Sequence, residues 1–135
     1  MIINVKDIKK SYTVGTQEVN ALRGINLSVE KGEFISIMGP SGSGKTTLMN
    51  IIGCLDTPSS GEYELNGSLV SKLEDDELAR IRNKEIGFVF QSFNLLAKNS
   101  VLENVMLPLK YACFEKSEAV KKSNEVIDKV GLSDR

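Results

Sequence analysis

One short segment constrains this chain more than any other: residues 39–46, with the sequence GPSGSGKT. It matches the pattern GxxxxGK[ST], in which glycines let the backbone curl so that successive N–H groups point inward. An apolar run at residues 33–38 precedes the loop, and a helical pattern begins at Lys45. Because a helix N-terminus carries a partial positive charge, this arrangement predicts a loop that binds anionic phosphate groups.

The side chains of the loop suit a nucleoside triphosphate with its metal ion. Lys45 can bridge the β- and γ-phosphates as a point charge, and the Thr46 hydroxyl can ligate Mg²⁺. Thr47 can contact the α-phosphate. The cradle around the phosphates is expected to come from Gly39, Ser41, Gly42, Ser43 and Gly44. A flexible Gly/Ser linker is the competing interpretation, and the flanking strand and helix patterns disfavour it.

Composition excludes several other kinds of site. The 135 residues include 17 Lys+Arg and 18 Asp+Glu, a balance that argues against a large basic surface for nucleic acid. With no His, the chain holds no Ser-His-Asp triad, Cys-His pair or imidazole metal site. Cys54 and Cys113 stand apart with no CxxC spacing, which favours two reduced thiols in a cytosolic protein.

The sequence also bears on the membrane. Residues 1–7 lack the basic and apolar regions of a signal peptide. No apolar run approaches the ~18–20 residues needed to cross a bilayer. We therefore expect a cytosolic chain whose contact with a membrane, if any, is made through a partner.

Alternating strand and helix patterns predict an α/β fold with a partly parallel sheet. Strands are predicted at residues 2–9, 21–29, 33–38, 62–65, 68–70 and 85–90. Helices are predicted at residues 45–55, 75–83 and 115–130, and Ser100 with Glu103 fits a capping box that opens a further short helix. The early strands, before residue 33, predict an added antiparallel layer.

Longer stretches of the sequence resemble the ATP-binding subunit of ABC transporters, nearest to the branch with the macrolide-export and lipoprotein-releasing ATPases. The matching motifs are LRGINLSVEKGEFISIMGPSGSGKTTLMNIIGCLD, GFVFQSFNLL, VLENVMLPLKYA and a terminal VGLSDR. The resemblance spans residues 3–135. It implies an incomplete P-loop NTPase domain, with the β layer and P-loop core at residues 1–91 and the start of a helical subdomain at residues 92–135.

The resemblance also implies roles for individual residues. Tyr12 would stack on adenine, and Gln91 would be the Q-loop glutamine that ligates Mg²⁺ or orients the attacking water. Lys45 and Gln91 would be the catalytic residues of this chain. An apolar surface that includes Phe93, Leu95 and Leu96 would receive the permease, although a core role for these side chains is nearly as well supported. The departures from the family at Ala97 and Ser100 bear on loop shape.

The implied activity is hydrolysis of Mg-ATP coupled to transport by a membrane permease. A second ATP-binding subunit would complete a homodimer at the inner face of the cell membrane. No nucleic-acid partner is expected. The family signature Leu-Ser-Gly-Gly-Gln does not follow Gly131, where Leu132-Ser133-Asp134-Arg135 stands instead. We therefore expect a truncated domain that binds nucleotide weakly, turns over negligibly alone and leaves an apolar sheet edge open beside residues 33–38.

Two other functions remain open at this point. Guanylate kinases carry a similar GPSGSGK loop, so a P-loop nucleotide kinase is one alternative, although it explains neither Tyr12 nor the segment around Gln91. A non-catalytic nucleotide-binding module is the other. Asp56 is not a candidate metal ligand, because it is expected to sit on the helix that begins at the loop and so cannot stand beside the loop on a neighbouring strand.

Overall fold

A computed structural model describes residues 1–134 and divides the chain into two compact units. The first unit is Met1–Arg82, and the second begins at Asn83. Within residues 1–134, every strand of the sheet lies in the first unit, together with the glycine-rich loop.

The first unit is built on a four-stranded antiparallel sheet with the strand order β2-β1-β3-β4. The strands are β1 (Ile3–Val14), β2 (Gln17–Val29), β3 (Ser60–Leu65) and β4 (Ser68–Leu69). The pairing of β1 with β2 confirms the predicted antiparallel layer. Both strands are longer than their apolar patterns predict, because the ladder continues through mostly polar residues to the two-residue turn at 15–16.

The core of the first unit lies where the sheet meets the helix that follows the loop, α1 (Lys45–Ile52). The fully or nearly fully buried side chains here include Val5, Ile8, Leu22, Leu48, Ile51, Cys54, Tyr63 and Leu65. The Tyr63 hydroxyl donates a hydrogen bond to the Ile52 carbonyl at 2.8 Å, and burial raises the pKa of this phenol. The end of α1 is thereby bonded directly to β3.

The strands predicted at residues 33–38 and 85–90 do not form. Neither segment pairs with any other strand among residues 1–134, and Phe34 and Val89 are 94% and 96% exposed. An apolar run of this kind folds as a strand only when neighbours supply a hydrogen-bonded ladder and cover both faces. Without such neighbours in the described chain, residues 33–38 lie as exposed irregular chain rather than as a sheet edge, and the sheet has no parallel part.

Local end signals set the bounds of the helices. α1 ends at Ile52, earlier than predicted, because Gly53 closes it and Cys54 then takes a left-handed conformation with φ of +52°. α2 (Asp75–Glu85) begins with acidic residues, which complement the positive helix N-terminus, and runs two residues beyond its predicted end.

The second unit contains two packed helices, α3 (Val101–Tyr111) and α4 (Lys116–Lys129). The predicted capping box is confirmed: the Glu103 N–H donates to Ser100 Oγ at 3.2 Å, and the Ser100 N–H donates to Glu103 Oε2 at 2.8 Å. Gly131 has φ of +72° just beyond α4, as its predicted role in ending the helix requires. Among the described helices, none combines the length and apolar character of a membrane span.

Candidate functional site

The loop of residues 39–46 leads directly into the N-terminus of α1, as its sequence predicts. Gly44 occupies the N-cap position with φ of +90°, a backbone conformation that residues with a Cβ rarely adopt. A Cβ at Gly44 would lie 2.7 Å from the Ala21 carbonyl oxygen and 2.9 Å from Leu22 Cδ2. A glycine is therefore needed here for two reasons, the backbone turn and the close approach of the loop to β2.

The remainder of the loop closes on itself. The Ser43 N–H donates a hydrogen bond to the Pro40 carbonyl at 3.3 Å. A Cβ at Gly39 would lie 2.7 Å from Ser43 Oγ, so the loop returns close to its own start. The residues at the tip, including Ser41 and Gly42, are exposed to solvent. The result is a tight, accessible curl of backbone at the positive end of a helix.

Lys45 folds back over this curl. Its Nζ donates to the Pro40 carbonyl oxygen at 2.7 Å and lies 3.3 Å from Ser43 Oγ. The ammonium therefore lies over the loop, where the loop's own oxygens accept its hydrogen bonds. Phosphate oxygens are stronger acceptors than these neutral groups, so the donor set fits an anion at this position.

The residues around the loop also fit a hard divalent cation. The Thr46 side chain is exposed in the first turn of α1, beside the loop. Within residues 1–134, no group of three or more His, Cys, Asp or Glu side chains could hold a metal ion by itself. A single hydroxyl with phosphate oxygens and water is the type of coordination that Mg²⁺ uses at nucleotide sites.

Tyr12 lies on β1, opposite Val19 of β2, and its side chain is 37% exposed. Its hydroxyl donates to Asp56 Oδ2 at 2.8 Å. Lys10 Nζ donates to Asp56 Oδ1 and to the Thr57 carbonyl, both at 2.6 Å, and lies 5.0 Å from the centre of the Tyr12 ring. We refer to Lys10, Tyr12 and Asp56 as the Tyr12 cluster.

The electrostatics of the Tyr12 cluster favour an ionised Asp56 and a neutral Tyr12. Burial alone would raise the pKa of Asp56, but hydrogen bonds from Lys10, Tyr12 and the Thr57 N–H, with the charge of Lys10, lower it overall. Burial raises the pKa of Tyr12, and the adjacent Asp56 raises it further, while hydrogen bonding from Thr47 opposes both.

The structure places the predicted site residues in two different units. The loop, Thr46, Thr47 and Tyr12 all lie in the first unit, whereas Gln91 lies in the second, exposed in the irregular segment between α2 and α3. Phe93 is exposed in that same segment, by 89%, and Leu95 and Leu96 are exposed as well.

Sequence reasoning missed the part that Asp56 plays. Asp56 lies just beyond the end of α1 and not on the helix as predicted, because α1 ends early at Ile52; it does not stand on a strand beside the loop. Its contacts with Lys10 and Tyr12, however, join parts of the chain that are far apart in sequence. The spacing of Lys10 and Tyr12, two residues apart on β1, is the one signal that could have suggested a shared partner on the same face.

Comparison with known proteins identifies the family. The family model described as "ABC transporter" matches residues 22–135. A macrolide export ATP-binding/permease protein (MacB) from Bdellovibrio bacteriovorus is 52% identical over 134 residues, 99% of this chain and 20% of that protein. An uncharacterised ABC transporter ATP-binding protein (YknY) from Bacillus subtilis is 48% identical over 134 residues, 99% of this chain and 58% of that protein.

Solved structures show the same likeness. The dimeric structure of MJ0796, described as a bacterial ABC transporter cassette, superposes with a TM-score of 0.86 at 45% identity, covering 94% of this chain and 56% of that one. A second structure of the same cassette, in a post-hydrolysis state bound to ADP and Pi, has the same TM-score and identity. This chain thus spans only part of the length of each of these proteins.

Proposed function

Since the chain belongs to the ABC transporter family, we propose that it binds Mg-ATP through the loop of residues 39–46, as part of a transporter's ATP-binding component. The observation that supports this most directly is the position of Lys45, whose ammonium lies over the curled loop at the start of α1. The family match gives no support to the nucleotide-kinase alternative, since the matching model describes transporters.

Each residue of the loop has a proposed role. Backbone N–H groups of the curl formed by Gly39, Ser41, Gly42, Ser43 and Gly44 bind phosphate oxygens. Lys45 exchanges its loop partners for the β- and γ-phosphates, and Thr47 contacts the α-phosphate. Thr46 holds Mg²⁺, which when bound neutralises phosphate charge. Tyr12 stacks on the adenine, because its ring is partly exposed and its hydroxyl is bonded to Asp56, just beyond α1.

Gln91 and the second unit are proposed to serve coupling. We assign residues 1–91 to the β layer and nucleotide-binding core, and residues 92–135 to the start of a helical subdomain. Following the resemblance, Gln91 would be the Q-loop glutamine that ligates Mg²⁺ or orients water, and the exposed apolar residues Phe93, Leu95 and Leu96 would receive a permease. In the intact protein, a second ATP-binding subunit would pair with this one. The permease would hold the pair at the inner face of the cell membrane.

Hydrolysis is proposed for the intact transporter rather than for this chain alone. The 135-residue sequence contains no Leu-Ser-Gly-Gly-Gln, the motif that the resemblance places across the nucleotide from the P-loop. Stabilisation of the charge that develops on the γ-phosphate is then available from one side only. We therefore expect nucleotide binding with negligible turnover, far below the ~1 s⁻¹ or more that is typical of enzymes.

The binding proposal is tested by titration calorimetry with Mg-ATP. Lys45→Ala removes a charged hydrogen-bond donor to the phosphates and should weaken binding by about tenfold or more. Lys31→Ala is a matched control, because Lys31 is an exposed lysine in a turn of the same unit, outside residues 39–46. Equal Mg-ATP affinity in the Lys45→Ala variant and the unmodified chain would refute binding through this loop.

A further inference from the structure

We propose that Asp56 is a positioning residue for recognition of the nucleobase: held by Lys10, it fixes the Tyr12 ring in a set orientation in the same unit as the phosphate-binding loop. The inference rests on the proposed function, since it concerns the base of the nucleotide that the loop would bind. It adds a residue that the sequence did not indicate as part of the site.

The first step is that Asp56 is itself held in place. Its Oδ1 accepts hydrogen bonds from Lys10 Nζ at 2.6 Å and from the Thr57 N–H at 2.8 Å. The same Lys10 ammonium also donates to the Thr57 carbonyl at 2.6 Å, so it binds side chain and backbone together. The Lys10 side chain is largely buried. Because Oδ1 is occupied in this way, Oδ2 remains to accept the Tyr12 hydroxyl.

The second step is that these contacts fix the ring. A tyrosine side chain has two rotatable χ angles. Its hydroxyl oxygen lies on the χ2 axis, so anchoring that oxygen restricts χ1, whereas a contact with the ring face is needed to restrict χ2. Lys10 Nζ lies 5.0 Å from the centre of the ring, a distance within the range of a cation–π contact. The ring nevertheless remains 37% exposed, so apolar surface is available to a planar ligand.

The third step is that the position of Asp56 depends on the loop's own helix. The N–H groups of Leu55 and Asp56 both donate to the Asn50 carbonyl of α1, at 2.8 and 3.3 Å. The residue that holds Tyr12 is thus bonded to the same short helix whose N-terminus carries the phosphate-binding loop. A ligand that spans loop and ring would meet both parts already in place, and this preorganisation lowers the cost of binding.

The chemistry of a fixed aromatic face indicates which part of the nucleotide it would recognise. Stacking requires a planar base but reads no hydrogen-bond pattern, so it tolerates any nucleobase. We expect Asp56 to raise the affinity for nucleoside triphosphates relative to inorganic triphosphate, which reaches the loop but lacks a base.

The test compares Mg-ATP with Mg-tripolyphosphate by titration calorimetry on the full chain. Asp56→Ala should weaken Mg-ATP binding by about fivefold to twentyfold, a partial loss of one base stack, and leave Mg-tripolyphosphate affinity unchanged. Asp7→Asn is the matched control, because Asp7 also pairs with a lysine of β1, Lys9, at 3.1 Å, but belongs to an exposed pair outside the Tyr12 cluster. It should change neither affinity.

A double mutant separates positioning from general structural damage. In a Tyr12→Leu background the ring is gone, so Asp56→Ala should cause no further loss of Mg-ATP affinity. Equal weakening of both ligands, an undiminished effect in the Tyr12→Leu background, or no change in Mg-ATP affinity would each overturn the positioning role. If the alanine variant does not fold, Tyr12→Phe keeps the ring and removes the anchoring hydroxyl, and it should show the same selective loss.

Failure of the proposed function gives a different result. In that case neither ligand would bind the unmodified chain, or both would bind with no dependence on Lys45. Either outcome would overturn the nucleotide site itself, and the positioning role with it. A third outcome is that tripolyphosphate binding depends on Lys45 but Mg-ATP binds no more tightly than Mg-tripolyphosphate. This outcome would leave the phosphate site intact and overturn only base stacking and its positioning by Asp56.

Discussion

The substitution Gly44→Ala offers a test of how the loop is held against the sheet. Gly44 has φ of +90°, and an added Cβ would lie 2.7 Å from the Ala21 carbonyl oxygen and 2.9 Å from Leu22 Cδ2. The carbonyl belongs to the backbone of a paired strand, β2, and cannot rotate away as a flexible side chain could. The start of α1 must therefore move when the methyl group is added.

A second glycine separates the cost of backbone strain from the cost of the close contact with β2. Gly67, in the turn between β3 and β4, has φ of +79°, but a Cβ there would meet nothing within 4 Å. Gly67→Ala should therefore cost only the backbone strain, about 1–2 kcal/mol. Gly44→Ala should cost a similar strain and, in addition, about 1–3 kcal/mol for forcing a methyl group into a closely packed contact. The difference between the two variants isolates the contact.

Urea unfolding followed by far-UV circular dichroism measures both free energies of unfolding, since the chain contains no Trp for fluorescence. We expect Gly44→Ala to unfold at a clearly lower urea concentration than Gly67→Ala and to bind Mg-ATP more weakly. Equal destabilisation by the two substitutions would show that the loop does not depend on its close approach to β2, and the reasoning would be refuted.

Three further predictions concern stability. Tyr63→Phe leaves the Ile52 carbonyl without its donor and should lower the free energy of unfolding by about 1–2 kcal/mol in urea, whereas Tyr111→Phe at an exposed site should have no effect. The pKa of Asp56 is lowered from 3.8, so its carboxylate stabilises the fold above that pH, and this contribution is lost as the pH falls below it. In urea titrations, the Asp56→Asn variant should therefore lose less stability between pH 6 and pH 3 than the unmodified chain. Ser100→Ala removes the N-cap of α3 and should cost about 1 kcal/mol, measured by thermal unfolding followed by circular dichroism.

The features that the sequence predicted correctly depend on neighbouring residues. The loop before α1, the Ser100 capping box and the glycine after α4 each follow from residues within a few positions of one another. Such signals act through local backbone hydrogen bonds and permitted φ values, which a short segment determines by itself. The antiparallel layer was also predictable, because β1 and β2 are joined by a tight turn.

The features that the sequence did not predict depend on distant parts of the chain. Residues 33–38 and 85–90 have the composition of buried strands, but a ladder requires a partner, and within the described chain neither segment finds one. The Tyr12 cluster joins residues far apart in sequence, so no local pattern reveals it. The roles of the loop residues and of Gln91 remain predictions that the binding experiments address.

The folded-back position of Lys45 has a consequence for ligand exchange. Because the ammonium already donates to the Pro40 carbonyl, an arriving phosphate gains only the difference between its own contact and the one that it displaces. The same bond is available again when the phosphate leaves, so the lysine need not be left without an acceptor during release. A phosphate bound by the loop, as proposed, would therefore be held less tightly than one bound by a lysine that has no acceptor of its own.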